Sequence, residues 1–140
     1  MLKGINPIIS PELLKVLCEM GHGDEIVIAD SNFPSESIGK KVIRADGISG
    51  PQLLDAILQL VPLDNYVDDN FVLMATNDNS TPSIWREYVK IAFKDCNYKN
   101  YTLLDRNDFY KRSKEAYCII ASGETATYAN IIIKKGVIKN

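Results

Sequence analysis

The sequence predicts an α/β layered fold, a single domain over residues 1–140 with a central, mostly parallel or mixed sheet flanked by helices. Amphipathic segments of helical period alternate with short apolar runs for most of the chain, and two apolar runs close it. A chain of 140 residues also has room for one real core and little for a second.

Each element has a local reason. Ser10-Pro11-Glu12 opens the first helix with a serine cap, a proline in the first turn and an early acid that suits the helix dipole. Leu13, Leu14, Leu17 and Met20 give that helix one apolar stripe, and Gly21 stops it. Residues 25–29 read as a buried strand, and 41–44 as a short second strand followed by the turn Asp46-Gly47. Pro51, then Leu53, Leu54, Ile57, Leu58 and Val61, mark a second amphipathic helix ending at Pro62. A strand is expected at 71–75. Thr81-Pro82 then repeats the cap-plus-proline signal before a helix carrying Ile84, Trp85, Tyr88, Ile91 and Ala92. Residues 101–104 form another strand, and Asn107 or Asp108 caps a helix running through Glu115. Segments 117–121 and 130–133 are the last two strands. In folds of this kind ligands gather at strand ends and loops, not in the sheet interior.

Composition excludes several classes of function. With 46% hydrophobic and 24% charged residues the chain reads as an ordinary globular protein, and a net charge of −2 argues against a nucleic-acid partner. Lys134-Lys135 reads as a solvated surface pair. Cys18, Cys96 and Cys118 are odd in number, far apart and in no metal-ligand spacing, so free thiols in a reducing cytoplasm are expected. One histidine and no CxxC argue against a zinc site. The first residues lack the apolar region of a signal peptide, and no apolar run approaches a membrane span. The expectation is a cytoplasmic protein without a membrane partner.

The one histidine, His22, stands between Gly21 and Gly23, where a helix hands over to a strand. Imidazole titrates near neutrality, and flanking glycines allow a sharp turn and close approach of a ligand. A glycine-capped turn that happens to carry a histidine is the bland alternative. Four polar clusters lie at strand ends: His22 with Asp24, Glu25 and Asp30; Asp64-Asn65-Tyr66; Arg106 through Tyr110; and Thr127 through Asn130. If 128–130 is extended, Tyr128 and Asn130 share one face, while Arg106 at a helix mouth can converge with Tyr110 in its first turn. Singly, Asp64 could hold its own turn and Tyr110 could pack in the core. The chain has no Gly-x-Ser-x-Gly elbow, no P-loop and no dinucleotide fingerprint. Carboxylates, an amide, a guanidinium and phenols suit a polyhydroxylated, uncharged ligand such as a sugar.

Pro11-Glu12-Leu13-Leu14, Met20-Gly21-His22-Gly23-Asp24-Glu25, Ile43-Arg44-Ala45-Asp46-Gly47, Phe109-Tyr110, Gly123-Glu124 and Tyr128-Ala129-Asn130 together resemble the fucose mutarotase and ribose pyranase family, over residues 1–137. The resemblance implies a proton-donor role for His22 and sugar contacts from Asp30, Arg106, Tyr128 and Asn130. Asp64, in Pro62-Leu63-Asp64, and Tyr110 are similar to two further participants in the animal fucose mutarotases. Ribose pyranases carry a second histidine near the position of Arg106, and this chain has none. Thr81-Pro82 followed by Trp85-Arg86-Glu87-Tyr88 also looks like the fucose branch.

The implied activity is interconversion of the α and β anomers of L-fucose by acid–base ring opening and reclosure. His22 is the expected acid, Tyr110 or Tyr128 completes the proton relay, and no cofactor or metal is required. Trp85 or Phe33 could cover the apolar face of the sugar, with Trp85 otherwise a core residue. A D-ribose pyranase-type activity and a non-catalytic sugar-binding or regulatory protein are the alternatives. His22 and Asp30 lie at opposite ends of one expected strand, too far apart for a single monosaccharide. Either the glycines fold the histidine back over the strand, or neighbouring subunits share the site. The resemblance to a family of ring-like decamers, with sites near subunit contacts, favours a homo-oligomer.

Overall fold

The computed structural model describes residues 1–94 and 100–140, so Cys96 lies outside the described residues. Helices α1 (Pro11–Glu19), α2 (Ser35–Ile38), α3 (Gly50–Leu58), α4 (Ser83–Phe93) and α5 (Arg106–Glu115) alternate with strands β1 (Glu25–Ala29), β2 (Val42–Ala45), β3 (Phe71–Met74) and β4 (Thr102–Leu104). Strands β5 (Cys118–Ser122) and β6 (Ile131–Lys134) close the chain. The strands form one sheet in the order β2-β5-β1-β6-β3-β4. It is mixed: β2, β5 and β1 run parallel, β3 and β4 run parallel, and β6 lies antiparallel between β1 and β3.

Side-chain alternation divides the core into two layers. Ile26 and Ile28 of β1 point into a cluster with Leu13, Leu17, Leu54, Ile57, Trp85 and Tyr88 from α1, α3 and α4. Val27 and Ala29 point the other way, onto Phe33 and Phe109 and toward α5. Both faces of β1 are therefore covered, which explains its unbroken apolar run. At the start of β1, Arg112 of α5 donates to both carboxylate oxygens of Glu25 and to Asp69, pinning strand to helix.

Several terminal residues differ from the sequence expectation. Ser10 caps α1 by accepting from the Leu13 N–H at 3.1 Å, as its position predicts. The α4 helix starts differently: Pro82 holds the cap position and no side chain caps it, so Thr81 does not serve. The cap of α5 is Asp105, which accepts from the Asp108 N–H at 2.8 Å, and not Asn107 or Asp108. Arg106 is thereby the first residue inside the helix. Helix α2 has only one turn, too short to produce a periodic signal in sequence. Among the described residues, Cys18 and Cys118 are free thiols, one exposed and one buried, and no helix is long and apolar enough to cross a membrane.

The joint between α3 and α4 is tight. Ser49 and Gln52 form a capping box at the start of α3. A Cβ placed on Gly50 would lie 1.9 Å from the Tyr88 hydroxyl oxygen. Tyr88 cannot retreat easily, since it is fully buried and its hydroxyl donates to the Ala129 carbonyl at 2.9 Å. Gly50→Ala is therefore expected to lower stability in urea denaturation by about 1–3 kcal/mol, the usual cost of overpacking. Alanine's better helix propensity, worth about 1 kcal/mol over glycine, does not reverse the sign.

Candidate active site

Asp30 directly follows β1, Met74 ends β3 and Arg106 begins the helix after β4, so three parallel strands deliver these residues to one rim of the sheet. Because β6 is antiparallel, its entry lies on the same rim and brings Tyr128 and Asn130 there. Together with Asn32, Phe33, Tyr110 and Thr127 these residues line an open cleft of about 170 Å³.

The cleft is held by bonds between distant parts of the chain. The Asp30 N–H donates to Asn130 Oδ1 at 2.7 Å, which fixes the amide and leaves its NH₂ as the free donor. The Asp30 carboxylate accepts from the Asn32 N–H at 3.0 Å and from the Ala129 N–H at 3.4 Å. Burial nevertheless raises the Asp30 pKa above the ordinary carboxylate value, against the opposing pull of those hydrogen bonds. Tyr110 stands edge-on to Phe33, with ring centroids 5.3 Å apart and planes at 89°.

Tyr128 departs from the expected geometry. Its φ is 55°, in the left-handed region, so 128–130 is not a simple extended run sharing one face. A non-glycine residue there carries roughly 1–3 kcal/mol of strain and persists only where its surroundings over-determine it. They do so here. The Trp85 ring N–H donates to the Tyr128 carbonyl at 2.8 Å, and Tyr88 and Asp30 hold the carbonyl and N–H of Ala129. Trp85 is thus a buried core residue that shapes the cleft from behind, and of the two it is Phe33 that lines it, beside Tyr110 and Tyr128.

His22 and Asp64 lie elsewhere. They precede β1 and β3 respectively, at the opposite rim of the sheet. The five residues of β1, at about 3.3 Å each, put roughly 16 Å between the two rims. His22 does not fold back over the strand. Its Nε2 instead faces Asp64 Oδ1 at 3.2 Å, with the imidazole half exposed and the carboxylate buried. The Asp64 carboxylate also accepts from the Tyr66 N–H at 3.0 Å. That bond and the neighbouring imidazole hold its pKa below the ordinary value. Asp64 therefore closes its own turn and orients the histidine at once. The Tyr66 ring packs 5.4 Å from the imidazole.

Asp30, Arg106, Tyr110, Tyr128 and Asn130 are therefore brought together, while His22 and Asp64 form a separate pair. Sequence reasoning missed Asn32 and Met74 in the cleft, and placed Thr127 in a polar cluster without giving it a role. Met74 carries a readable signal, the last residue of an apolar run, because ligands sit at strand ends. Among the described residues no group of three or more metal-ligating side chains occurs.

The chain is similar to known proteins over nearly its whole length. The L-fucose mutarotase of Haemophilus influenzae is 52% identical over 140 residues, 98% of this chain and 97% of that protein. The fucose mutarotase of Mus musculus is 48% identical, covering 98% and 95%. The crystal structure of the fucose mutarotase from Streptococcus pneumoniae in complex with L-fucose superposes with a TM-score of 0.91 at 52% identity, covering 99% of this chain and 100% of that one. With the family model for the RbsD / FucU transport protein family matching residues 3–138, the chain belongs to that family.

Proposed function

We propose that this protein is an L-fucose mutarotase, a cofactor-independent isomerase that interconverts the α and β anomers. One observation carries the assignment: near-full-length relatives at about half identity are named L-fucose mutarotase, and a similarly close solved relative holds L-fucose. The cleft supports it, since a carboxylate, a guanidinium, an amide NH₂ and two phenols can each engage a sugar hydroxyl.

The chemistry needs one proton delivered and one removed. The ring oxygen of the sugar is protonated as the hydroxyl on C1 loses its proton, and the bond from C1 to the ring oxygen breaks. The resulting carbonyl rotates about the C1–C2 bond, and attack of the freed hydroxyl on the other carbonyl face closes the opposite anomer. Atoms and electrons balance without any group leaving. In this reading Asp64 accepts from the His22 Nε2–H, and the imidazole, when protonated on both nitrogens, delivers its Nδ1 proton. Tyr110 or Tyr128 completes the relay, and Asp30, Arg106 and Asn130 orient hydroxyls.

His22 and the cleft lie on opposite rims, so the reading requires the histidine to come from another subunit. A homodecamer with sites near subunit contacts meets this requirement. Tyr66 and Val67 beside the His22–Asp64 pair, and Val137 and Ile138 beyond β6, are exposed apolar residues that such a contact would cover. The two described free thiols support a cytoplasmic setting.

Saturation-transfer NMR on L-fucose tests the assignment. Irradiating one anomeric proton line should attenuate the other in the presence of the protein, more strongly than with D-ribose. His22→Ala should lower that exchange by about 10²–10⁴-fold, the usual contribution of general acid–base help, with sugar binding still measurable. Binding without exchange in the unaltered protein would leave only a sugar-binding role.

Asp30→Asn should weaken L-fucose binding by about tenfold or more, as expected for loss of hydrogen bonds to a charged group. Its effect on stability runs the other way. A buried carboxylate with a raised pKa favours the folded state only while protonated, so its penalty sets in as pH climbs from near 4 through the raised value. The variant's melting temperature should therefore equal or exceed that of the unaltered protein at pH 7, with the gap closing at low pH.

Mixed oligomers test the shared site. His22→Ala subunits and Asp30→Asn subunits, each impaired alone, should recover part of the exchange when dissociated and reassembled together. Absence of recovery in hybrids verified by mass spectrometry, or full activity in a strictly monomeric species, would remove the shared-site reading.

A further inference from the structure

We infer that Lys135 is the positioning residue for the catalytic histidine, an inference that rests on the acid–base role proposed for His22. Sequence composition reads Lys134-Lys135 as solvated surface, but Lys135 is partly buried and its ammonium makes two hydrogen bonds to backbone carbonyls. It donates to the carbonyls of Leu17 at 2.8 Å and Met20 at 2.6 Å, the last turn and the cap of α1. That helix carries no basic residue in its own last turn, so the cation at its negative end comes from more than a hundred residues away.

A helix cap alone would be structural. The loop attached to this cap gives the lysine a second role. Met20 leads directly into Gly21-His22-Gly23, with Gly23 at φ 86°; Asp24 closes this turn, its carboxylate accepting from the Gly21 N–H at 2.7 Å and its own N–H donating to the Gly21 carbonyl at 3.2 Å. The same lysine holds the far side of that loop through its backbone. The Gly23 N–H donates to the Lys135 carbonyl at 2.9 Å, and the Lys135 N–H donates to the Asp24 carbonyl at 2.8 Å. His22 is thus gripped on both sides by one residue.

The opposite edge of the same short segment holds Asp64. The Asp64 N–H donates to the Lys134 carbonyl at 2.9 Å, and the Gly136 N–H donates to the Pro62 carbonyl at 2.8 Å. Leu63 forms an antiparallel bridge with Lys135 itself. The extension of β6 past its last strand residue is a splint between the two loops, and it sets the 3.2 Å contact between imidazole and carboxylate. Gly136 allows the close fit, since a Cβ there would lie 2.6 Å from the Leu63 carbonyl oxygen and 2.9 Å from the Asp64 Cα.

The test compares Lys135→Met, which keeps the aliphatic stem, with Lys135→Arg, which restores donors and charge. Turnover is read by anomeric saturation transfer, affinity by calorimetric titration with L-fucose, and the imidazole by the C–H resonance of the chain's only histidine. Lys135→Met should lose exchange by roughly tenfold or more, as small misplacements of a reacting group do, while its L-fucose affinity stays within about twofold. Lys135→Arg should recover part of the loss. The imidazole resonance of Lys135→Met should move toward its position in Asp64→Asn, and adding Lys135→Met to Asp64→Asn should cost no further exchange. If Lys135→Met does not fold, Gly136→Ala separates Asp64 from the other edge with the lysine intact, and the same resonance shift and loss of exchange are expected. Unimpaired exchange in the folded variant, an unmoved resonance, or losses that multiply with those of Asp64→Asn would overturn the inference. If His22→Ala itself exchanges normally, the acid–base reading fails first. An inactive His22→Ala beside an unimpaired Lys135→Met removes the role of Lys135 alone.

Discussion

The antiparallel strand β6 sits between β1 and β3, hydrogen-bonded along both edges, and both polar sites hang from its ends. At its entry Asn130 binds the Asp30 backbone and helps form the cleft. At its exit residues 134–136 bind the segments bearing His22 and Asp64. Its register is fixed by the core, since Ile131 and Ile133 face one layer and Ile132 the other. A slip of one residue would exchange those faces, so the apolar packing of three isoleucines also fixes the polar geometry at both rims.

Two carboxylates show how differently the two rims treat the same chemical group. Asp30 is buried, which raises its pKa above the ordinary carboxylate value despite two backbone N–H donors. Asp64 is equally hidden by its neighbours, yet the Tyr66 N–H and an adjacent imidazole favour its charged form. The difference is the partner. An amide N–H and an imidazole that can carry charge offset desolvation at Asp64, whereas Asp30 has no adjacent cation in the described contacts. A carboxylate kept costly in the cleft suits a group that awaits a ligand's hydroxyls, and a settled one suits a group that orients a neighbour.

Much of the architecture was legible in sequence because local chemistry and tertiary structure agree. Strands buried on both faces read as unbroken apolar runs, and Ser10 announces its helix by side-chain chemistry alone. The cleft residues could be chosen because strand ends collect ligands, although Asp30 and Asn130 meet across a hundred residues. Two of the features that escaped depended on partners distant in sequence, Tyr128 and Lys135. The cap at Asp105 was a local miss, since its bond to the Asp108 N–H spans only three residues. Tyr128 adopts a positive φ because Trp85, Tyr88 and Asp30 hold its carbonyl and the next peptide. Lys135 read as surface because nothing near it in sequence reveals that the end of α1 lies against it. The separation of His22 from Asp30 was visible, since counting residues along a strand needs no tertiary knowledge.

The left-handed backbone at Tyr128 has an evolutionary consequence. Glycine would relieve the strain at that position and would also delete the phenol, whereas most other side chains would keep the strain and lose the phenol as well. Selection for a more stable chain and selection for a working cleft therefore pull against each other at a single codon. Relaxed demand for the sugar site would be expected to show first as drift toward glycine or asparagine there, well before the isoleucines of β6 begin to change.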